Sequence, residues 1–211
     1  MMLPTHALAG TLLALPLALA VPDAASAVLG AGFLGGVVPD LDMYVGHRRT
    51  LHYPIYYSAI ALPVGTATVL APVGPTAALT ALLLAAAAHS VADVFGGGLE
   101  LRPWEATSTR AVYDHYHGRW IAPRRWIGYD GSPADLALAT VLALPLLLVV
   151  DTPFRWLVAG TLVVAVTYVA VRRTLPVVAE RLVVVLPAWA TTRLPARYRS
   201  PTDGHPTVGN E

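Results

Sequence analysis

Two reactive side chains are missing altogether: the 211 residues include no cysteine and no lysine. Without cysteine there is no disulfide, no thiolate metal ligand and no cysteine nucleophile. Without lysine there is no Schiff-base chemistry, no P-loop lysine and no Ser–Lys dyad. Charge is scarce as well. Charged residues make up 13% of the chain, against about 25% in ordinary soluble domains. The 14 basic residues, all arginine, nearly balance 13 acidic ones. The net charge of +1 leaves no electrostatic footprint for nucleic acid. What is abundant is apolar: 55% of residues are hydrophobic and the mean hydropathy is +0.58. A soluble enzyme, a disordered chain and a nucleic-acid module all fit this composition poorly. An integral membrane protein fits it, and the length suits one domain.

A bilayer core of about 30 Å takes about 20 apolar residues in a helix. Six stretches approach that size: residues 7–22, 24–38, 55–72, 76–95, 134–150 and 154–171. The first two are short and rich in Gly and Ala. Residues 25–27 (Ala-Ser-Ala) resemble a signal-peptidase site, but the segment before them carries His6 and no Arg, so the first stretch is expected to stay in place. A further stretch, 175–190, carries Glu180 and Arg181 in its middle. Such charge is costly in lipid, so this stretch reads as an interfacial amphipathic helix. The fold expected is all-α: a polytopic membrane domain over 1–190, with about six embedded helices in three hairpins. Residues 191–211, rich in Pro, Thr, Gly and Asn, read as a disordered tail.

The hairpin turns fall near Asp23, at 72–75 and at 151–153. The long connections, 39–54 and 96–133, then share one face with both termini. That face carries 13 arginines, against Arg155 alone on the turn face. The positive-inside rule therefore places the long connections and both termini in the cytoplasm, across the cell membrane.

Histidines and carboxylates converge on the same face, although they played no part in setting the topology. His6 precedes the first apolar stretch. Pro39-Asp40-Leu41-Asp42 closes the second. His47-Arg48-Arg49-Thr50-Leu51-His52-Tyr53 follows in the connection. His89 and Asp93 sit near the end of the fourth stretch, and His115 and His117 lie in the second long connection. Imidazole and carboxylate are good ligands for zinc and related divalent ions. His89 and Asp93, four apart, share one helix face. In an extended loop Asp40 and Asp42 would point the same way. His47 and His52 are close enough in sequence to reach one ion. Arg48 and Arg49 suit an anionic group such as phosphate. Each motif also has an ordinary reading: an interfacial histidine, a helix-ending loop, a buried hydrogen-bonded pair, topogenic arginines. His115 and His117 read as surface residues, and His205 as solvated.

The ordered set resembles the YdjM-like family of membrane-bound metal-dependent hydrolases. That family's pattern is an N-terminal His, a Pro-Asp-hydrophobic-Asp loop, a His-Arg-Gly-x-Thr-His-Ser stretch and a helix bearing His-x-x-x-Asp. His6, Asp40, Asp42, His47, Arg48, His52, His89 and Asp93 match it, over roughly residues 1–104. Arg49, Leu51 and Tyr53 stand where the family has Gly, Thr and Ser. The resemblance implies a divalent metal site, zinc before manganese or iron, with one or two ions. His6, Asp40, Asp42, His47, His52, His89 and Asp93 would be its ligands. It further implies hydrolysis of a phosphoester, including a lipid one, at the cytoplasmic membrane face. Asp40 or Asp42 would act as base and Arg48 would hold the phosphate. Two other functions use the same residues: a transition-metal transporter, and a membrane scaffold with a structural metal or none. The turn-side halves of the helices are nearly all Ala, Leu, Val, Gly and Pro, which speaks against a path through the membrane.

Overall fold

The computed structural model describes residues 1–191 and 193–194 of the chain. The expected tail, 191–211, lies almost wholly outside the described residues. The apolar stretches of the sequence become helices α1 (Leu3–Ala20), α2 (Ala25–Val37), α3 (Pro54–Leu70), α4 (Gly74–Ala92), α5 (Pro133–Val149) and α6 (Thr152–Val171). A short α7 (Leu175–Val185) and a one-turn α8 (Ala188–Thr191) follow. Among the described residues, four segments are long and apolar enough to cross a membrane: Leu3–Ala20, Pro22–Met43, Gly74–Phe95 and Thr152–Val171. The helices Pro54–Leu70 and Pro133–Val149 are apolar but shorter.

Local chemistry sets the boundaries. Proline stands in the first turn of α1, α3, α4, α5 and α6, where its missing N–H costs no hydrogen bond. Ser132 caps α5 by accepting from the Asp135 amide, and Asp151 caps α6 by accepting from the Phe154 amide. α1 starts four residues earlier than its apolar run does. His6 therefore sits inside the first helical turns and not ahead of them.

α1, α2 and α4 form a tightly packed trio; α3 packs on α4, α5 on α1, and α6 on α5. The packing core is built of small residues, among them Ala14, Ala18, Ala77, Ala81, Ala139 and Ala143, filled in by Leu8, Val28 and Leu146. Small residues let backbones approach where no water-driven force separates helix from lipid. A Cβ on Gly10 would collide with the carbonyl of Gly32, and one on Gly36 with the carbonyl of His6. The second contact matters most here, because it brings the start of α1 against the end of α2. Asp135 fixes the same end from the other side, accepting from the Met2 amide and the Thr5 hydroxyl, both at 2.7 Å.

Among the described residues, the structure departs from an all-helical reading in one place. Val112–Asp114 (β1) and Arg119–Ile121 (β2) form an antiparallel hairpin, turning at Gly118 with φ +64°. Three-residue strands leave no readable alternation. The pair is held by Tyr113 edge-on to Trp120 across the strands, centroids 5.4 Å apart.

Candidate metal centre

Three helix ends meet at one end of the bundle: the start of α1, the end of α2 and the end of α4. Asp40 and Asp42 stand on a 3-10 turn, Val38–Tyr44, that continues α2 and has Pro39 in its first turn. Here the structure corrects the extended-loop expectation. With about three residues per turn, positions two apart point in different directions, and the two carboxylates have separate surroundings.

Asp40, His52, His89 and Asp93 offer ligand atoms that all lie within 4.8 Å of one another. His52 Nε2 stands 3.3 Å from Asp93 Oδ2 and 3.7 Å from Asp40 Oδ1. His89 Nε2 stands 3.6 Å and 3.5 Å from the same two oxygens. A tetrahedral ion with bonds of about 2.0–2.2 Å has ligand–ligand edges of about 3.3–3.6 Å. His52 Nε2 and His89 Nε2 are buried and make no hydrogen bond; Asp93 Oδ2 makes none either, but the Arg48 guanidinium faces it at 3.2 Å. Two buried imidazole nitrogens aimed at the carboxylates of Asp40 and Asp93 are costly unless a proton or a metal cation satisfies them.

The tautomers agree with this arrangement. His89 Nδ1 donates to the Gly36 carbonyl at 2.7 Å, and His52 Nδ1 donates to Asp42 Oδ2 at 3.0 Å. Each imidazole is thereby oriented by its outer nitrogen and aims Nε2 at the cluster, where it ligates once deprotonated. Asp42 is buried and fully engaged. Its Oδ2 also accepts from the Leu51 amide, and its Oδ1 accepts from His47 Nδ1 at 3.0 Å and from the Arg48 amide at 3.2 Å. Asp42 thus stands behind the ligand cluster, tying His47 and His52 to one carboxylate.

The other matched residues ring the cluster. His6 stacks on His89 with centroids 3.7 Å apart, and its Nε2 lies 3.0 Å from Asp93 Oδ1. It thus reaches the Asp93 oxygen turned away from His52. The Met1 amino group shares that oxygen at 2.6 Å. His47, 17% exposed, lies 4.0 Å from Asp40 Oδ1. Arg48 turns inward: its Nε stands 3.2 Å from Asp93 Oδ2, and its Nη1 donates to the Gly97 carbonyl at 2.7 Å. Burial alone would depress the Arg48 pKa, but the Asp93 and Asp40 carboxylates outweigh it and push the value up. His52 behaves likewise. Burial works against its protonated form, and Asp42 and Asp93 more than compensate, so its pKa is raised.

Arg48 adopts φ +60°, a left-handed conformation uncommon for a side chain of its size. The Asp42 carboxylate holds its amide, and the Tyr113 amide donates to its carbonyl at 3.0 Å. The β-hairpin therefore grips the loop that carries His47 and His52. His115 Nε2 donates to the Arg49 carbonyl at 2.6 Å, and the Arg49 guanidinium lies 4.5 Å above the Tyr113 ring. His115 thus braces the loop from outside the ligand cluster. His117, half exposed, pairs with Asp114 at 2.6 Å and does not reach the cluster. The sequence held no signal for this brace, because the two segments lie more than 60 residues apart.

Asp40 is the most exposed of the four cluster residues, its side chain 10% accessible. It opens on a cavity of about 290 Å³, lined also by His47, Arg48, Tyr168 and Arg172. A second hollow, of about 420 Å³, shares the His47 and Arg172 rim and runs beneath the apolar side of α7 at Leu175, Val178 and Leu182. No known protein family, no curated protein and no solved structure matches this chain.

Proposed function

We propose that the protein is a membrane-bound metal-dependent hydrolase acting on phosphoesters at the cytoplasmic membrane face. The observation that carries this reading is the convergence of His52 Nε2, His89 Nε2 and Asp93 Oδ2 with Asp40, which borders the cavity. The donor set suits zinc first: two imidazoles and two carboxylates, with the four His–Asp edges at 3.3–3.7 Å. A divalent ion there supplies Lewis acidity and lowers the pKa of a bound water.

The chain's own groups divide the remaining work. Asp42 fixes the Nδ1–H tautomer of His47, which lines the cavity and is the group placed to carry a proton between substrate and solvent. Arg48 is locked against Asp93 and faces the cavity as a fixed positive charge, suited to a phosphoryl oxygen. The buried His89, Asp93 and His6 exclude water from the rear of the cluster.

The test is phosphate release from p-nitrophenyl phosphate and from phosphatidic acid vesicles by zinc- and manganese-loaded protein. The reading expects turnover that His89→Ala abolishes and that Asp42→Ala cuts by at least about a hundred-fold, the loss of an orienting partner compounded with that of a proton carrier. Full activity in both variants, or no release by the loaded wild type, contradicts it.

The ligand set itself favours a second reading. Four protein ligands, two His and two Asp, is also how a structural ion is held. In that case metal removal lowers the melting temperature and no substrate turns over. A transporter fits less well, since the described ionisable cluster sits at one end of the helices.

A further inference from the structure

The cavity beside Asp40 is polar at one end and apolar at the other, and the two ends lie at different depths along α6. Arg172, just past the end of α6, marks the polar rim. Its Nε donates to Asp130 Oδ2 at 2.9 Å, and the Tyr168 hydroxyl donates to the same oxygen at 2.5 Å. Val164 lines the far end, eight residues earlier, which is about 12 Å deeper along the helix axis. Leu3 and Pro4, in the first turn of α1, line the same cavity. Val164 is 58% exposed and Leu3 40% exposed, so this end of the cavity communicates with the apolar outer surface of a candidate span. The polar end holds Asp40 and Arg48. One hollow therefore joins the ligand cluster to the surface that a bilayer would cover.

From this we infer that the cavity takes a lipid phosphate from the bilayer, head group at Asp40 and Arg48, with one alkyl chain lying between Leu3 and Val164. This rests on the metal-dependent reading for the head-group end and adds the source of the ligand. A free phosphate compound would find the polar end but leave the apolar groove in contact with nothing of its own. At about 290 Å³ the cavity is at the small end for a whole ligand. It suits a head group and the first part of a chain whose remainder stays in lipid.

The experiment is native mass spectrometry of the zinc-loaded full chain in detergent, titrated with dioleoyl phosphatidic acid and, separately, with glycerol 3-phosphate. Val164→Trp and Leu3→Trp fill the groove from α6 and from α1. Val163→Trp, on the neighbouring and equally exposed position outside the cavity, is the control. We expect one lipid bound to wild type and to Val163→Trp. Both groove variants should bind it about ten-fold more weakly or worse, the worth of burying roughly two methylene groups. Glycerol 3-phosphate should bind about a hundred-fold more weakly than the lipid. The inference is overturned if wild type binds no phosphatidic acid, if both groove variants bind it like wild type, or if glycerol 3-phosphate binds as tightly. Lipid binding with these preferences but without phosphate release leaves the groove assignment standing and removes the hydrolase reading, so the two fail separately.

Discussion

Asp42 and His52 are joined by a 3.0 Å hydrogen bond from His52 Nδ1 to Asp42 Oδ2, and this bond decides which nitrogen of His52 faces the ligand cluster. An acceptor at Nδ1 fixes the proton there and leaves Nε2 as the ligand atom. Asp42→Asn keeps the shape but offers one acceptor oxygen to a site that uses two. Zinc affinity should fall about 10- to 100-fold, as for other residues that orient metal-bound imidazoles. Competition against a chelator of known affinity measures it. An unchanged affinity would mean that His52 does not ligate through Nε2.

Asp93 and Arg48 are a buried ion pair whose members fare differently alone. Asp93→Ala leaves the Arg48 guanidinium buried, with the Gly97 carbonyl as its remaining short hydrogen bond. Breaking a buried pair from one side costs about 3–5 kcal/mol. The double variant Asp93→Ala/Arg48→Met should recover most of that loss in a thermal melt, yet bind no metal. Recovery of stability separates the role of Asp93 in folding from its role as ligand.

The pH dependence of metal uptake follows from His52. In the metal-free protein its pKa is raised above the ordinary 6.5, because Asp42 and Asp93 outweigh the burial that opposes protonation. Its protonated form therefore stabilises the metal-free fold below pH 6.5, and that contribution is lost as the pH climbs through the raised value. A metal must displace this proton. Apparent zinc affinity should thus rise with pH through neutrality and level off only above the raised value, with protons released on binding. Isothermal calorimetry in two buffers of different ionisation enthalpy reads both effects. Affinity that is flat between pH 6 and 8 would contradict the prediction.

The hairpin gives a contrast between two histidines. His115→Ala removes the donor that braces the Arg49 carbonyl, so the His47–His52 loop should loosen and zinc affinity should fall by about ten-fold at most. His117→Ala breaks a half-exposed pair with Asp114 and should leave metal binding unchanged, with a stability cost of under about 1 kcal/mol. Equal effects from the two would remove the hairpin from the account of the site.

Orientation in the membrane is open to direct test because the chain has no cysteine of its own. A single cysteine at Tyr116, exposed on the hairpin, should label only from the cytoplasmic side. One at Pro72, in the turn between α3 and α4, should label only from the other. The reverse pattern would invert the topology that the arginine count implies.

Much of this could be read from the chain. Long apolar runs became helices even where Pro16, Pro63 and Pro145 interrupt the hydrogen-bond ladder, and prolines mark their starts. The four-residue spacing of His89 and Asp93 put both on one face of α4, as a helix requires. The different duties of Asp40 and Asp42 were not legible. They depend on Val38–Tyr44 winding as a 3-10 turn, which turns one carboxylate to the cluster and the other to the loop behind it. The inward course of Arg48 was hidden for a similar reason. Its positive φ is imposed by Asp42 and by Tyr113, a partner 65 residues away, and no local pattern encodes it. The cavity beside Asp40 is a property of α1 and α6 side by side, which spacing along the chain does not express.

The claim on which the rest depends is that Asp40, His52, His89 and Asp93 together hold one divalent ion. Elemental mass spectrometry of purified protein, after incubation with zinc and removal of the excess, tests it most directly. Wild type should retain at least one equivalent; His89→Ala/Asp93→Asn and His52→Ala should each lose it, while His117→Ala retains it. A wild-type protein that keeps no metal, or variants that keep as much as wild type, would contradict the account.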